Sequence, residues 1–362
     1  MKLDLFKTIE GLDECELHPK FKLLRDNNLL IGERNIVIDW TDGFIDRDNK
    51  IVKEFQTTFH SSFWEFYLYS VFSELGFNID FTKDRPDFII NAPEKIYIEA
   101  VVSNIKKEGR GEDTRDSDDV SSMIAPPHKQ SDFYEVLDEA IVRNSNAILG
   151  KSTKYLEKYT KCNWVDINSP FVIAISSYGQ VNYGREYIYP MMALLYGLYF
   201  NPKSESYEHK NSILKPDTNS PIPIGIFKDN SYEHISAIIY SCTVTLGKLT
   251  SLSISKGESD LQINGVLNVR HDYEYPHFKV QIVSVDNPEY LSDSLFVFHN
   301  PFAKNKLNPK IFESSNAIQI LPQDGNLKFE GGNTPIYSRL NTLKPMINDM
   351  LVNLIIKDFN TK

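Results

Sequence analysis

The sequence predicts an α/β fold, a mixed sheet flanked by helices with an additional β-rich half behind it. Three observations carry that expectation. Apolar residues sit on nearly all sides of a helix through Phe63-Trp-Glu-Phe-Tyr-Leu-Tyr-Ser-Val-Phe72, which is the pattern of a buried helix. Two β-rich runs within residues 86–102 flank the turn-forming residues 91–95 and read as a hairpin. A long helical pattern over 132–161 then precedes the continuous apolar run Phe171-Val-Ile-Ala-Ile175, a buried strand.

The elements follow in order. Residues 1–54 mix short apolar runs with turn-formers such as Asp42-Gly43 and form an N-terminal module. A helix is expected over 55–77, with Gly76 where a C-cap belongs, then a short strand over 78–81 and the hairpin. Residues 103–130 are long, polar and acidic at their centre, as in lids and binding loops. After the 171–175 strand a helical run extends to about residue 200. This core, 55–200, is followed by a β-rich half, 201–362. Its residues 203–219 read as a polar loop, several short strands follow, and an amphipathic helix over about 339–359 closes the chain.

Composition bounds the function. The 362 residues are 41% hydrophobic and 24% charged, ordinary for a folded globular chain. The longest apolar stretch, near residues 187–200, falls short of the roughly 20 residues a bilayer span needs. Acids among the first residues and three cysteines at unrelated spacings (Cys15, Cys162, Cys242) point to a cytoplasmic protein with reduced thiols and no membrane partner. A net charge of −10 argues against simple coating of a nucleic-acid backbone. It leaves room for a phosphodiester substrate if a metal ion supplies local positive charge.

The hairpin holds the most informative residues. If its turn is symmetric about Pro93, Asp87 lies directly across from Glu99, with side-chain origins about 4.5–5.5 Å apart. Alternation puts Ile89, Tyr97 and Val101 on that same face and Phe88, Ile98 and Ala100 on the other. Two opposed carboxylates repel unless a cation or proton offsets them. A divalent ion, Mg²⁺ or Mn²⁺, held by Asp87 and Glu99 is a sufficient reason for the pair. A strand-start Asp and an edge-strand Glu that blocks aggregation would be the structural alternative. Glu65 is the only charge in the 63–72 aromatic run, so it either has a buried partner or reaches water from a tilted helix.

Pro86-Asp87 followed by Ile98-Glu99-Ala100-Val101, with Glu65 as a preceding helical acid, resembles the PD-(D/E)xK nuclease superfamily over about residues 55–200. The resemblance implies a restriction-endonuclease-like fold and metal-dependent phosphodiester hydrolysis of DNA or RNA. The Asp and the second acid would bind Mg²⁺ and a lysine would position or activate the water. Where that pattern has its lysine, this chain has Val101.

An amine from elsewhere is therefore expected, or catalysis has been lost. On the long helix, Asn144 and Lys151 fall in the gaps of the apolar stripe Leu137, Ile141, Ile148, Tyr155, Tyr159. Lys151 is the candidate for the missing amine, with snorkelling as the alternative. Arg143 and Lys154, slightly off the stripe, are candidates for substrate phosphate, Tyr69 and Tyr97 for the pocket border, and Lys106 and Lys107 are weaker replacements for the amine. His277 and His299 read as structural residues, and the 270–277 cluster of charge and aromatics could stack bases. There is no zinc-like spacing, glycine-rich phosphate loop or serine-hydrolase elbow.

The expectation is a Mg²⁺-dependent nuclease-like protein. The alternative is a catalytically inactive module of the same fold that binds nucleic acid or protein. A third reading makes the hairpin acids ordinary surface groups of an unrelated fold. A homo-oligomer is compatible with all three.

Overall fold

Three short helices open the chain: α1 (Pro19–Asp26), α2 (Ile31–Asp39) and α3 (Ile51–Thr57). The structure is a computed structural model and describes residues 3–105, 110–116, 119, 122–179, 181, 183–216, 218–258, 263–272 and 274–361. Lys106 and Lys107 lie outside the described residues. The expected helix over 55–77 is two helices, because Phe59 takes a φ of 58° and separates α3 from α4 (His60–Glu74). Phe63, Trp64, Phe66, Tyr67 and Leu68 are each 0% exposed. That matches the all-round apolar pattern.

After α4 come β1 (Asn78–Ile79), the hairpin β2 (Phe88–Ala92) and β3 (Ile96–Asn104), helix α5 (Phe133–Glu157) and β4 (Phe171–Tyr178). The hairpin register pairs Phe88 with Ile98, Ile89 with Tyr97 and Ile90 with Ile96. This is the symmetry about Pro93 that sets Asp87 against Glu99. β3 and β4 run parallel, joined by the crossover through α5. Alternation divides the hairpin between two cores. Phe88, Ile90 and Ile98 pack with α4 on one face, while Ile89 and Tyr97 pack with α5 on the other.

The run toward residue 200 stops being helical early. Helix α6 (Tyr189–Tyr196) ends at Gly197, whose left-handed φ of 71° turns the chain into β5 (Leu198–Asn201). A side chain there would press within 2.8 Å of the Lys210 carbonyl oxygen. The polar stretch 203–219 carries two further short strands, β6 (Ser206–His209) and β7 (Ser212–Leu214), and β8 (Pro221–Pro223) pairs with the latter. The chain then forms β9 (Ala237–Ser241), α7 (Leu246–Ser255), β10 (Asn264–His271), β11 (Phe278–Ile282), β12 (Phe296–His299), β13 (Ile318–Gln323), β14 (Asn326–Glu330), β15 (Ile336–Leu343) and α8 (Asp349–Asn360). The closing helix thus starts ten residues later than expected. Arg339 belongs to β15, paired with Asn268 of β10. Pro345 interrupts the chain after β15, and the Asn348 side chain caps α8 by accepting from the Leu351 amide.

The expected boundary at residue 200 does not divide the sheet. A mixed eight-stranded sheet runs β1-β2-β3-β4-β9-β12-β13-β14, so four strands of the C-terminal half extend the sheet of the first. β4 and β9 pair in parallel. A second sheet, β11-β10-β15, packs beside it. The N-terminal module is not separate either, since Phe21, Val37 and Trp40 share a core with α4. Among the described residues no helix is long and apolar enough to cross a membrane.

Trp64 couples α4 to the sheet. Its indole is fully buried and Nε1 donates to the Ala174 carbonyl oxygen of β4 at 3.0 Å. Trp64→Ala is expected to cost about 3–5 kcal/mol of stability through the lost contacts and the cavity left behind. Urea unfolding checks this, and a loss below about 1 kcal/mol would show that the helix does not depend on this anchor.

Candidate active site

The strand start that carries Asp87 is held from two sides. Arg47 of the N-terminal module donates to the carbonyl oxygens of Lys83 (2.7 Å) and Pro86 (3.1 Å), and the Trp164 indole donates to that of Arg85 (3.1 Å). Asp87 itself is half-buried, and its Oδ2 accepts from the Ala100 amide at 2.7 Å. Among the described residues its Oδ1 takes no hydrogen bond.

Glu99, across the hairpin, is 0% exposed. A carboxylate in that position needs its full set of donors. Three reach it from α5 and the turn beyond. Lys151 Nζ lies 2.7 Å and Lys154 Nζ 2.8 Å from Oε1, and the Tyr159 hydroxyl donates to Oε2 at 2.8 Å. Helical spacing explains the two amines, since residues three apart share a face. The sequence expectation placed Lys151 toward the sheet, and the structure sets its ammonium on Glu99. Lys154, expected to face substrate, sits in the same carboxylate cluster.

Two positive groups and one phenol on one carboxylate decide its charge. Burial pushes Glu99 up, but the Lys151 and Lys154 ammoniums outweigh it and hold the carboxyl below its ordinary value. Burial disfavours the Lys151 ammonium, yet Glu99 and Asp87 together raise it above the usual lysine range. Asp87 has less compensation. Burial, then the Glu99 charge, raise it to about 6 despite the opposing effect of Lys151.

Glu65 is the acid expected to complete the site through water or a second ion. It is half-buried on α4, and burial followed by repulsion from Asp87 pushes its carboxyl well up. Its electrostatic field reaches Asp87 and Lys151, but Glu65, Asp87 and Glu99 do not bring three oxygens within 4.8 Å of one another. α4 packs on the opposite sheet face from α5. Arg143 stands two turns before Lys151 and pairs with Glu139 at 3.2 Å, away from the acids. Tyr69 donates to the Asp42 carbonyl oxygen, and Tyr97, fully buried, to that of Trp164, so neither borders an open pocket. Asn144 is fully buried as its place in the stripe implied, with neither amide atom hydrogen-bonded among the described residues.

Sequence reasoning missed Tyr159 as a polar partner because it completes an apolar stripe. It also missed a second cluster. Among the described residues, His18, His60 and Glu112 are the group of three whose ligand atoms all lie within 4.8 Å. They come from three distant stretches of chain, so no local spacing announces them. His18 Nδ1 accepts from the Lys20 amide at 3.2 Å, which places its proton on Nε2, 3.6 Å from Glu112 Oε1. Lys20 Nζ lies 3.2 Å from Glu112 Oε2. The cluster is an ion-paired tether of the 110–116 segment to α1 and α4, and its imidazoles do not suit Mg²⁺.

A cavity of about 980 Å³ is lined by aromatics such as Tyr189, Phe200 and Phe278 and by none of these acids. His277 lines it, in keeping with the stacking potential of the 270–277 cluster, and His299 is hydrogen-bonded to Gln319 at 3.0 Å as a structural residue.

No protein-family model, curated protein or solved structure matches the chain.

An Asp carboxyl raised from 3.8 to about 6 keeps its proton in the folded chain where the unfolded chain has lost it. Its contribution is complete below about pH 4 and is lost as pH rises through about 6. Asp87→Asn removes that slope. In metal-free urea unfolding the variant is expected to gain on the wild type between about pH 4 and 6 and to keep the gain at pH 7. A constant difference across the range would contradict this environment for Asp87.

Proposed function

We propose that the chain is a nuclease-like phosphodiesterase that uses Mg²⁺ or Mn²⁺ held by Asp87 and Glu99. The observation that carries this reading is the Lys151 ammonium 2.7 Å from Glu99. It supplies, from a helix, the amine that Val101 withholds from the strand. The succession α4, β1, hairpin β2–β3, α5, β4 supports the restriction-endonuclease-like reading, because α5 and β4 are the helix and strand the resemblance expects after the motif.

The donor set suits a hard divalent cation. Among the described residues Asp87 Oδ1 is without a hydrogen bond, and Glu99 Oε2, with one donor from Tyr159, keeps a lone-pair direction that Oε1 with two donors does not. The raised Asp87 carboxyl marks negative charge still seeking compensation. When bound, the ion would polarise a phosphoryl oxygen and ease deprotonation of water.

The side chains have distinct tasks. Asp87 and Glu99 would hold the ion. Lys151, held firmly protonated by its two acidic neighbours, does not act as a base. It orients the attacking water and neutralises charge that builds on the phosphorus oxygens. Lys154, 39% exposed at the edge of the same cluster, would meet substrate phosphate from its solvent side. Glu65, its carboxyl pushed well up by burial and by Asp87, favours the protonated form and leaves the charge for the ion to the two hairpin acids.

A second reading is favoured by one specific observation. Glu99 is already balanced by two ammoniums and a phenol, so the fold is self-consistent as a module that binds nucleic acid or protein without cutting.

Purified protein with Mg²⁺ or Mn²⁺, incubated with DNA and RNA, separates the two. Cleavage that Asp87→Ala and Glu99→Ala abolish, and that Lys151→Gln slows about 100-fold, is the expected result. Wild-type cleavage that both acid variants retain would place the chemistry elsewhere. Binding of a labelled duplex with no cleavage under either metal would favour the module.

A further inference from the structure

The carboxyl ends of the parallel strands β3, β4 and β9 are where open α/β sheets bind ligands. A cavity of about 430 Å³ lies there, lined by Gly184 beyond β4, by the β9–α7 connection and by β15. Its floor is the start of the ten-residue helix α7. Thr245 caps that helix by accepting from the Gly247 amide at 3.2 Å, and both residues line the cavity. The helix dipole presents partial positive charge at this end.

The side chains add whole charges. Lys20, Arg115 and Arg339 line the cavity, and among the described residues Glu112 is the one acid that does. Lys20 already pairs with Glu112 and Arg339 with Glu289, so among the described residues Arg115 is the lining cation without an ion pair. Arg339 is 5% exposed, fixed by Nη1 to the Thr243 carbonyl oxygen (2.7 Å) and by Nη2 to Glu289 (2.5 Å). Its Nε is buried and has no partner among the described residues, and the same holds for Nη2 of Arg115. Buried guanidinium N–H groups left unmade are costly. Arg115 lies over the Tyr183 ring at 4.5 Å, which fixes its plane, and Asn341 offers a further amide at the rim.

We infer that this cavity is a binding site for an organic phosphate, a nucleotide either free or within a nucleic-acid strand. Guanidinium N–H groups and a helix N-terminus match phosphate oxygens. The volume exceeds that of inorganic phosphate and falls in the range of small-molecule sites. Leu23, Met123 and Leu246 give the remainder of the ligand an apolar wall. The site is independent of the hairpin acids and stands whether or not they hydrolyse anything.

The test is calorimetric titration of the full chain, in EDTA so that the acid site carries no metal, with inorganic phosphate, AMP and a short single-stranded DNA. Saturable binding of AMP or DNA, tighter than that of inorganic phosphate, is expected. Arg115→Gln and Asn341→Asp should each weaken it about tenfold or more. Asn341 is exposed, so its variant remains informative even if Arg115→Gln disturbs the chain. AMP binding without DNA binding identifies a free nucleotide, and the converse identifies a strand phosphate. No saturable binding of any of the three, or binding that Asn341→Asp leaves unchanged, overturns the inference.

Discussion

A fully buried carboxylate fixes the relation between strand and helix at the centre of this protein. Glu99 cannot remain ionised inside the β3–α5 interface without donors, and Lys151, Lys154 and Tyr159 all converge on it. The register of the hairpin, the rotation of α5 about its axis and the turn after it are therefore linked through one side chain. Removing any one donor leaves the others to carry a charge that the surrounding apolar residues cannot solvate. Asp87 sits beside this cluster with less compensation. That asymmetry, one acid satisfied and one still wanting positive charge, is what makes the site chemically suggestive.

Much of this was legible because it depends on periodicity. A symmetric turn about Pro93 was enough to set Asp87 against Glu99, and the 3.6-residue repeat was enough to turn Lys151 toward the sheet. Features that depend on distant chain segments were not legible. Tyr159 looked like one more apolar residue of the stripe, because a phenol gives no sign in sequence of whether its hydroxyl is needed. Glu65 was joined to the acid pair because it is the only charge in an aromatic run and because the resemblance has a helical acid there, and neither ground says which face of the sheet the helix covers. The continuation of the sheet into β9 and β12 was hidden because their short runs look alike whether they build a new sheet or extend an old one. The buried network of Lys248, Glu289 and Arg339, with Lys248 Nζ 2.8 Å from Glu289 Oε1, joins α7, β15 and the residues before β12 and had no local signature at all.

The same tension between acidic bulk and local positive charge recurs along the sheet. The chain carries a net −10, yet it gathers amines around Glu99 and guanidiniums at the carboxyl ends of the parallel strands. From Glu99 to the end of β3 at Asn104 the strand rises by roughly 16 Å, so the two places lie on one sheet and are too far apart to share a single phosphate. An extended nucleic acid could span such a distance and a mononucleotide could not. The overall negative charge keeps non-specific adsorption of polyanions weak, so the proposed recognition rests on these local positions.

Metal binding by the two hairpin acids is the claim on which the rest of the functional reading turns. Calorimetric titration of the wild-type chain and of Asp87→Ala with Mn²⁺ near pH 7 addresses it without any assumption about substrate. One saturable ion per wild-type chain, lost in the variant and accompanied by proton release when the titration is repeated near pH 6, is the predicted result. A wild-type chain that binds no ion, or an Asp87→Ala chain that binds it equally well, would contradict it.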